Sequence, residues 1–372
     1  MAQLLDPNEE NMLLCGERIR SGKLVSFPTE TVYGLGADAT NADAVLSIFE
    51  AKGRPLTDPV IVHIADEAKI DLILLDTPER QLIKYLGSKL WPGPLTMIGP
   101  CDTNYIPLIV GSNTGTVGVR WPNNPIACEL ILKADRPIAA PSANKFMHVS
   151  PTKYSHVFYD LYDKDVAIIK GGQTNLGVES TVIRVMADHS EFAPHPVKIM
   201  LLRPGTLQSI DIQQALDESE EYKNVKLLIK KQNESVEEHE ATTAPGQLLK
   251  HYSPEVDCKL LLKKDFVAEG SELSSIDKSK LAVIDFSGTF SELQPNALKY
   301  VDLSPEGDFK EALHNLYQSL RDCEVSDGVN QILVCYTDTG YSPGEYGATL
   351  FDKIYRSASG QQCFYHNGQI YQ

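Results

Sequence analysis

Apolar positions along the chain alternate between a helical period and short unbroken runs. Residues 8–21 set Met12, Leu13, Leu14 and Ile19 on one side of a helical repeat, and Gly22 supplies the stop, so a helix is predicted there. Residues 23–27 (KLVSF) follow as a β-rich run that Pro28-Thr29 breaks into a loop. Helical spacing returns over 40–52 behind a Thr/Asn cap, and 59–64 (PVIVHI) reads as a buried strand. Further strand signals fall at 116–119, 138–140, 166–170 and 180–185, with helical stretches between several of them. The rhythm predicts an α/β (α+β) domain ending near Leu207.

From about Asp217 the pattern is lost in a charge-rich stretch poor in aromatic residues, which runs to Pro245-Gly246 and reads as a long linker or strap. Beyond it, apolar runs at 259–262, 281–286, 300–303 and 331–335 alternate with helical segments at 309–321 and 348–358. That alternation predicts a small Rossmann-like second domain, although no GxGxxG supports dinucleotide binding there. The expected organisation is therefore a catalytic domain over 1–216, a strap over 217–254 and a C-terminal domain over 255–372.

Composition narrows the function classes. A length of 372 residues agrees with two domains, and 42% hydrophobic with 23% charged residues is the balance of a folded globular chain. No apolar run reaches 18 residues, and the N-terminal stretch carries acids where a signal or transit peptide has basic residues, so a cytoplasmic protein with no membrane contact is expected. Seven scattered cysteines without a CxxC pair indicate neither a disulfide framework nor a cysteine zinc site, which suits a reducing compartment. Residues 1–210 hold 19 Lys+Arg against 23 Asp+Glu, and the remainder 15 against 27, so the formal charge of -16 lies mostly on the C-terminal part. Such a chain is repelled by nucleic-acid phosphates unless a local basic groove intervenes.

Six polar loops directly follow or precede strands, where α/β proteins place ligands. The first is PTETVYGLG (28–36), whose hydroxyls and glycines suit close approach of a ligand and equally suit an ordinary turn. Lys52-Gly53-Arg54-Pro55 offers a point charge and a bidentate fork to a polyanion, or merely cations at a helix C-terminus. His63, on the next strand, is a functional candidate or a satisfied core histidine. Arg120, leaving a strand in TVGVRWP (116–122), suits a carboxylate clamp or a structural ion pair. The remaining loops are PSAN (141–144) with SPT (150–152), GVEST (177–181) and LRPG (202–205). GxxxxGK[ST], GxSxG, HExxH, the EF-hand loop and the kinase motifs are all absent from the sequence. Catalysis would then rest on positioning and on electrostatic stabilisation of a transferring phosphoryl or nucleotidyl group.

Taken in order, PTETVYGLGA (28–37), KGRP (52–55), IVHI (61–64), WPGPLT (91–96), TVGVRWP (116–122), APSAN (140–144), SPT (150–152), GVESTV (177–182) and LRPG (202–205) resemble the YrdC/Sua5 family. APGQLLKHYSP (244–254) and GATLFDKIYRSA (347–358) are similar to its two-domain branch, so the likeness covers nearly the full chain. The resemblance implies a YrdC-like twisted sheet followed by a smaller C-terminal domain. It also implies L-threonylcarbamoyladenylate synthesis from ATP, L-threonine and bicarbonate, for N6-threonylcarbamoylation of adenosine 37 in ANN-decoding tRNAs by a separate transferase complex. By the same resemblance L-threonine is expected at Thr31, His63, Arg120, Ala140 and Ser180. ATP is expected at Arg54, Asp58, Thr116, Ser142, Ser150, Arg203 and Tyr252, with Lys52, Arg54, Ser142 and Asn144 as the catalytic wall. Mg²⁺ is expected with the triphosphate, no protein metal site is expected, and Tyr252 is expected to close over the nucleotide. The chain departs from the family at Phe146-Met147, where relatives carry Ser-Gly, and at Gln247 and Leu249, where Met and an aromatic are frequent.

Two other readings compete. A non-catalytic tRNA or double-stranded RNA module is disfavoured by the net -4 of the N-terminal part, so direct tRNA binding is expected to be weak. A carbamoyltransferase of the hydrogenase-maturation type would bring zinc-finger cysteines, and CxxC is missing.

Overall fold

The computed structural model describes residues 1–190, 193–229, 244, 251–263, 276–336 and 344–371. The chain divides into two units, Met1–Phe146 with Pro151–Leu248 and Met147–Ser150 with Leu249–Gln372.

Among the described residues the first unit is built on an eleven-stranded mixed sheet. Its strands are β1 (Gln3–Leu5), β2 (Leu24–Pro28), β3 (Tyr33–Asp38), β4 (Ile61–His63), β5 (Leu95–Pro100), β6 (Thr116–Arg120), β7 (Ile138–Ala140), β8 (Val166–Ile169), β9 (Thr181–Ala187), β10 (Val197–Arg203) and β11 (Leu227–Ile229). They lie in the order β1-β8-β2-β3-β7-β4-β6-β5-β9-β10-β11. Helices α1 (Glu9–Arg20), α2 (Ala42–Lys52), α3 (Ile70–Ile73), α4 (Pro78–Leu90), α5 (Pro125–Ala134), α6 (Tyr154–Leu161) and α7 (Ser209–Asp217) complete the unit.

Local chemistry sets these boundaries. The Asn8 side chain accepts from Asn11 N, and that of Asn41 accepts from Asp43 N and Ala44 N, so α1 and α2 start where an Asn offers an N-cap. Gly53, at φ 66°, ends α2 in the left-handed conformation that glycine tolerates. Consecutive strand residues enter opposite cores, as a period of two requires. Ile138, Ala140, Ala167 and Ile169 join Val25 and Phe27 in one cluster, while Ala139 and Ile168 join Leu35, Val62, Met97 and Val119 in the other. The sheet is thus buried on both faces, which explains its continuous apolar runs.

One expectation is corrected here. PTETVYGLG is expected as a loop, whether ligand-admitting or an ordinary turn, but Tyr33–Asp38 is a strand antiparallel to β2, and only 29–32 turn. A Cβ on Gly36 would lie 2.7 Å from Ile138 Cγ2 and from Phe27 Cε1, and one on Gly34 would lie 3.3 Å from Ala140 Cβ. These glycines let side chains pack over the strand. Within the expected strap, Leu227–Ile229 adds a strand parallel to β10, whereas 230–243 and 245–250 lie outside the described residues.

In the second unit, β12 (Asp257–Lys263), β13 (Leu281–Asp285), β14 (Lys299–Asp302), β15 (Gln331–Tyr336), β16 (Gln362–His366) and β17 (Gln369–Tyr371) form a sheet in the order β14-β13-β15-β12-β16-β17. All neighbours are parallel except the final hairpin, and helices α8 (Phe309–Glu324) and α9 (Gly344–Ser357) supply crossovers. The chain is therefore mixed α/β in both units. Among the described residues no helix is long and apolar enough to cross a membrane.

Candidate active site

Strands β4 and β6 run parallel with His63 opposite Arg120, so both side chains leave the sheet where these two strands end. β5, antiparallel to β6, brings Thr96 beside this end. β9 follows, and the Ser180 hydroxyl, just before it, meets the Thr96 hydroxyl at 2.8 Å. Arg203, closing β10, donates to the Ser180 carbonyl from Nε at 3.1 Å and from Nη2 at 3.0 Å, and to its hydroxyl at 3.1 Å. A Cβ on Gly205 would lie 2.4 Å from Thr181 N, so only glycine lets the LRPG turn approach Ser180 this closely. Four predicted residues, His63, Arg120, Ser180 and Arg203, thus stand along one end of the sheet.

Electrostatics at this end are set by burial. His63 is 4% exposed, its Nδ1 is 3.2 Å from the Ile61 carbonyl, and Phe27 meets the ring edge-on. Burial first, and the Arg120 guanidinium second, push its pKa down to about 3, so the ring is neutral. Arg120 itself is buried, and its Nη2 lies 2.8 Å from Glu30 Oε1. Although the two charges touch, no N–H is aimed at either Glu30 oxygen, and Nε and Nη2 of Arg120 have no hydrogen-bond acceptor. Thr31 is buried in the same turn, its hydroxyl 2.8 Å from that of Thr29, which also donates to the Val32 carbonyl.

A second group gathers where β4 and β6 begin. Arg54 and Asp58 form a buried ion pair at 2.9 Å, and Arg54 also donates to the Asp58 carbonyl at 3.0 Å and the Pro59 carbonyl at 2.8 Å. Thr116 opens β6, and its hydroxyl is 2.8 Å from that of Thr114. Ser142 follows β7, the strand that ends here at Ala140, opposite Ile61. Lys52 turns inward to donate to the Ser142 carbonyl at 2.6 Å and to that of Asn144, bringing three of the four wall residues together. The ammonium thereby fixes the backbone of the PSAN loop. Between the two groups Ile61, Thr96, Thr116 and Gly118 line a cavity whose floor Gly118 keeps low, its missing Cβ being 3.1 Å from Thr96 Cγ2.

Ser150 and Tyr252 belong to the second unit. There the piece 147–150 is held along its length: Ser253 N donates to the Met147 carbonyl at 2.9 Å, His148 Nε2 is 2.9 Å from Glu324 Oε2, and Arg321 donates to the Val149 carbonyl from Nε at 3.1 Å and from Nη2. Met147 has φ 67°, the left-handed conformation that explains a glycine at this position in relatives. Tyr252 is fully buried, with its ring 5.3 Å from that of Tyr317 and Lys353 Nζ 5.1 Å from its centroid.

Sequence reasoning missed Glu30 and Thr96. Both stand inside quoted motifs, yet a lone carboxylate among threonines and a strand threonine carry no spacing signal of their own.

The Sua5/YciO/YrdC family model, described as telomere recombination, matches residues 17–204. The chain belongs to this family. A second model, for the threonylcarbamoyl-AMP synthase C-terminal domain, matches residues 208–359, which makes it the two-domain Sua5 type. A threonylcarbamoyl-AMP synthase of Pyrococcus abyssi is 43% identical over 239 residues, 64% of either chain. One of Bacillus subtilis is 39% identical over 250 residues, so the chain spans 64% and 66% of the lengths of these two curated relatives. The Schizosaccharomyces pombe threonylcarbamoyl-AMP synthase is 34% identical over 366 residues, 90% of this Sua5-type chain and 85% of that one. The crystal structure of P. abyssi Sua5 complexed with L-threonine superposes with a TM-score of 0.77 at 31% identity, covering 98% of this chain and 100% of the other.

Proposed function

We propose that the chain is an L-threonylcarbamoyladenylate synthase, a nucleotidyltransferase that converts ATP, L-threonine and bicarbonate into threonylcarbamoyl-AMP, pyrophosphate and water. The observation that carries this reading is the pair of residue groups at the two ends of β6. A buried Arg120 suited to a carboxylate and a hydroxyl wall containing Thr116 and Ser142 lie on one sheet, about 13 Å apart by strand rise. An amino acid joined through a carbamoyl group to a nucleotide has that reach. The likeness over the whole chain to a Sua5 protein complexed with L-threonine supports the same assignment.

In this reading Arg120 forks to the threonine carboxylate, while Thr31 and Ser180 offer hydroxyls and neutral His63 packs beside them. The amine attacks carbon dioxide or bicarbonate, giving N-carboxythreonine, whose carboxylate displaces pyrophosphate from the α-phosphorus of ATP. No covalent enzyme intermediate is required, so the wall of Lys52, Arg54, Ser142 and Asn144 acts by positioning. Mg²⁺ is taken to enter with ATP, neutralising the charge of the triphosphate. Seven free cysteines suit work in the reducing cytosol, from which the product passes to a tRNA threonylcarbamoyl transferase complex.

Pyrophosphate release with MgATP, in reactions containing or omitting L-threonine and bicarbonate, tests this. Release that needs both, with threonylcarbamoyl-AMP detected by rapid mass spectrometry, is expected. Release indifferent to threonine, or RNA binding without release, refutes it.

A further inference from the structure

The Glu30 carboxylate is the one acidic group touching Arg120 among the described ion pairs, and the pair is only 5% and 7% exposed at the side chains. Buried carboxylates ordinarily spend their lone pairs on aligned donors, because an unspent one costs stability. Here neither Glu30 oxygen has an aligned donor, and Arg120 leaves Nε and Nη2 without an acceptor, although the charges sit 2.8 Å apart. The backbone holds the arrangement, since Leu176 N donates to the Glu30 carbonyl at 2.8 Å and Ile64 N to the Arg120 carbonyl at 2.9 Å. Neutral His63 adds no competing cation.

An adjacent anion and cation, each with unused hydrogen-bonding capacity, is the complement of an α-amino acid zwitterion. A substrate carboxylate on Arg120 places its own α-ammonium within a few ångströms, beside Glu30. We propose that Glu30 binds the α-ammonium of the amino acid substrate, so that Glu30 and Arg120 together select an intact zwitterion. This rests on the threonine reading of the site and adds to it a residue for the second charge. Glu30 acts here in binding, through its charge beside Arg120, and takes no part in the later loss of the ammonium proton that frees the attacking amine.

The test uses the full chain and calorimetric titration with three probes: L-threonine, (2S,3R)-2,3-dihydroxybutyrate in which a hydroxyl replaces the ammonium, and L-threoninamide in which the carboxylate is blocked. Wild-type protein is expected to bind L-threonine about 10- to 100-fold tighter than either analogue. Glu30→Gln is expected to erase the preference over the dihydroxy acid while keeping that over the amide. Equal wild-type affinity for L-threonine and the dihydroxy acid overturns the proposal without needing the variant to fold. Threonine-dependent pyrophosphate release with no Glu30 effect leaves the synthase reading standing and removes this one. Tight, Glu30-dependent binding of a different amino acid does the reverse, and binding of no amino acid at all overturns both.

Discussion

His63 offers a measurement that turns the electrostatics of the site into a stability slope. A histidine titrates near 6.5 in an unfolded chain, and burial with the Arg120 charge takes this one to about 3 when folded. Between these values the unfolded chain binds a proton that the folded chain refuses, so the contribution is fully present above pH 6.5 and is lost as pH falls toward 3. At pH 5 the unfolded ring has gained roughly 1.5 pH units of protonation free energy, or about 2 kcal/mol, and the ceiling near pH 3 is about 5 kcal/mol. Both tryptophans, Trp91 and Trp121, lie in the unit that holds His63, so urea unfolding followed by their fluorescence reports on it. Wild type and His63→Gln, compared at pH 8, 6.5 and 5, should differ in slope, with the wild type losing about 2 kcal/mol more by pH 5. Imidazole resonances provide the direct check. A His63 ring that titrates near pH 6 in the folded protein, or parallel slopes for the two proteins, refutes the reasoning.

Arg120→Ala should raise the threonine requirement at least tenfold while leaving that for ATP nearly unchanged, and steady-state kinetics with equal effects on both would remove the carboxylate clamp. Asp58→Asn leaves the Arg54 charge buried without its 2.9 Å partner and should cost about 3–5 kcal/mol, read as a lower urea midpoint. Gly205→Ala forces a Cβ against the Thr181 amide and should destabilise by about 3 kcal/mol or more. Gly53→Ala meets no atom within 4 Å and carries only its left-handed φ, so it should cost about 1 kcal/mol; thermal shifts ranked the other way would contradict the packing argument.

Much of the fold was legible because local rules and tertiary packing agree. Caps at Asn8 and Asn41 and the stop at Gly53 fix helix ends with groups that lie within four residues. Strand 138–140 was placed to the residue, since a short apolar run bounded by Pro137 and Pro141 has few alternatives. The closing hairpin, turning on Asn367-Gly368 at φ 49° and 81°, was missed, although such a dipeptide suits a two-residue turn. β3 was misread because YGLGA has the composition of a loop, and only the side chains of Phe27 and Ile138 across the sheet require those glycines.

The sequence by itself determined the family, the alternation of strands and helices, and the identity of the polar residues, because motif order and apolar period are properties of the chain. Tertiary structure decided what those residues face. Arg54 and Lys52, in sequence two cations at a helix end, are turned inward onto Asp58 and onto the carbonyls of Ser142 and Asn144. Glu30, 90 residues from Arg120 in the chain, acquires a role only because β6 ends beside the 29–32 turn. The tetrapeptide 147–150 holds methionine at φ 67° where Ser253 grips Met147 itself and Glu324 and Arg321 grip His148 and Val149, and these partners lie 106 to 176 residues further along. Charge pairing and desolvation depend on distances through space, and a pattern along the chain does not encode them.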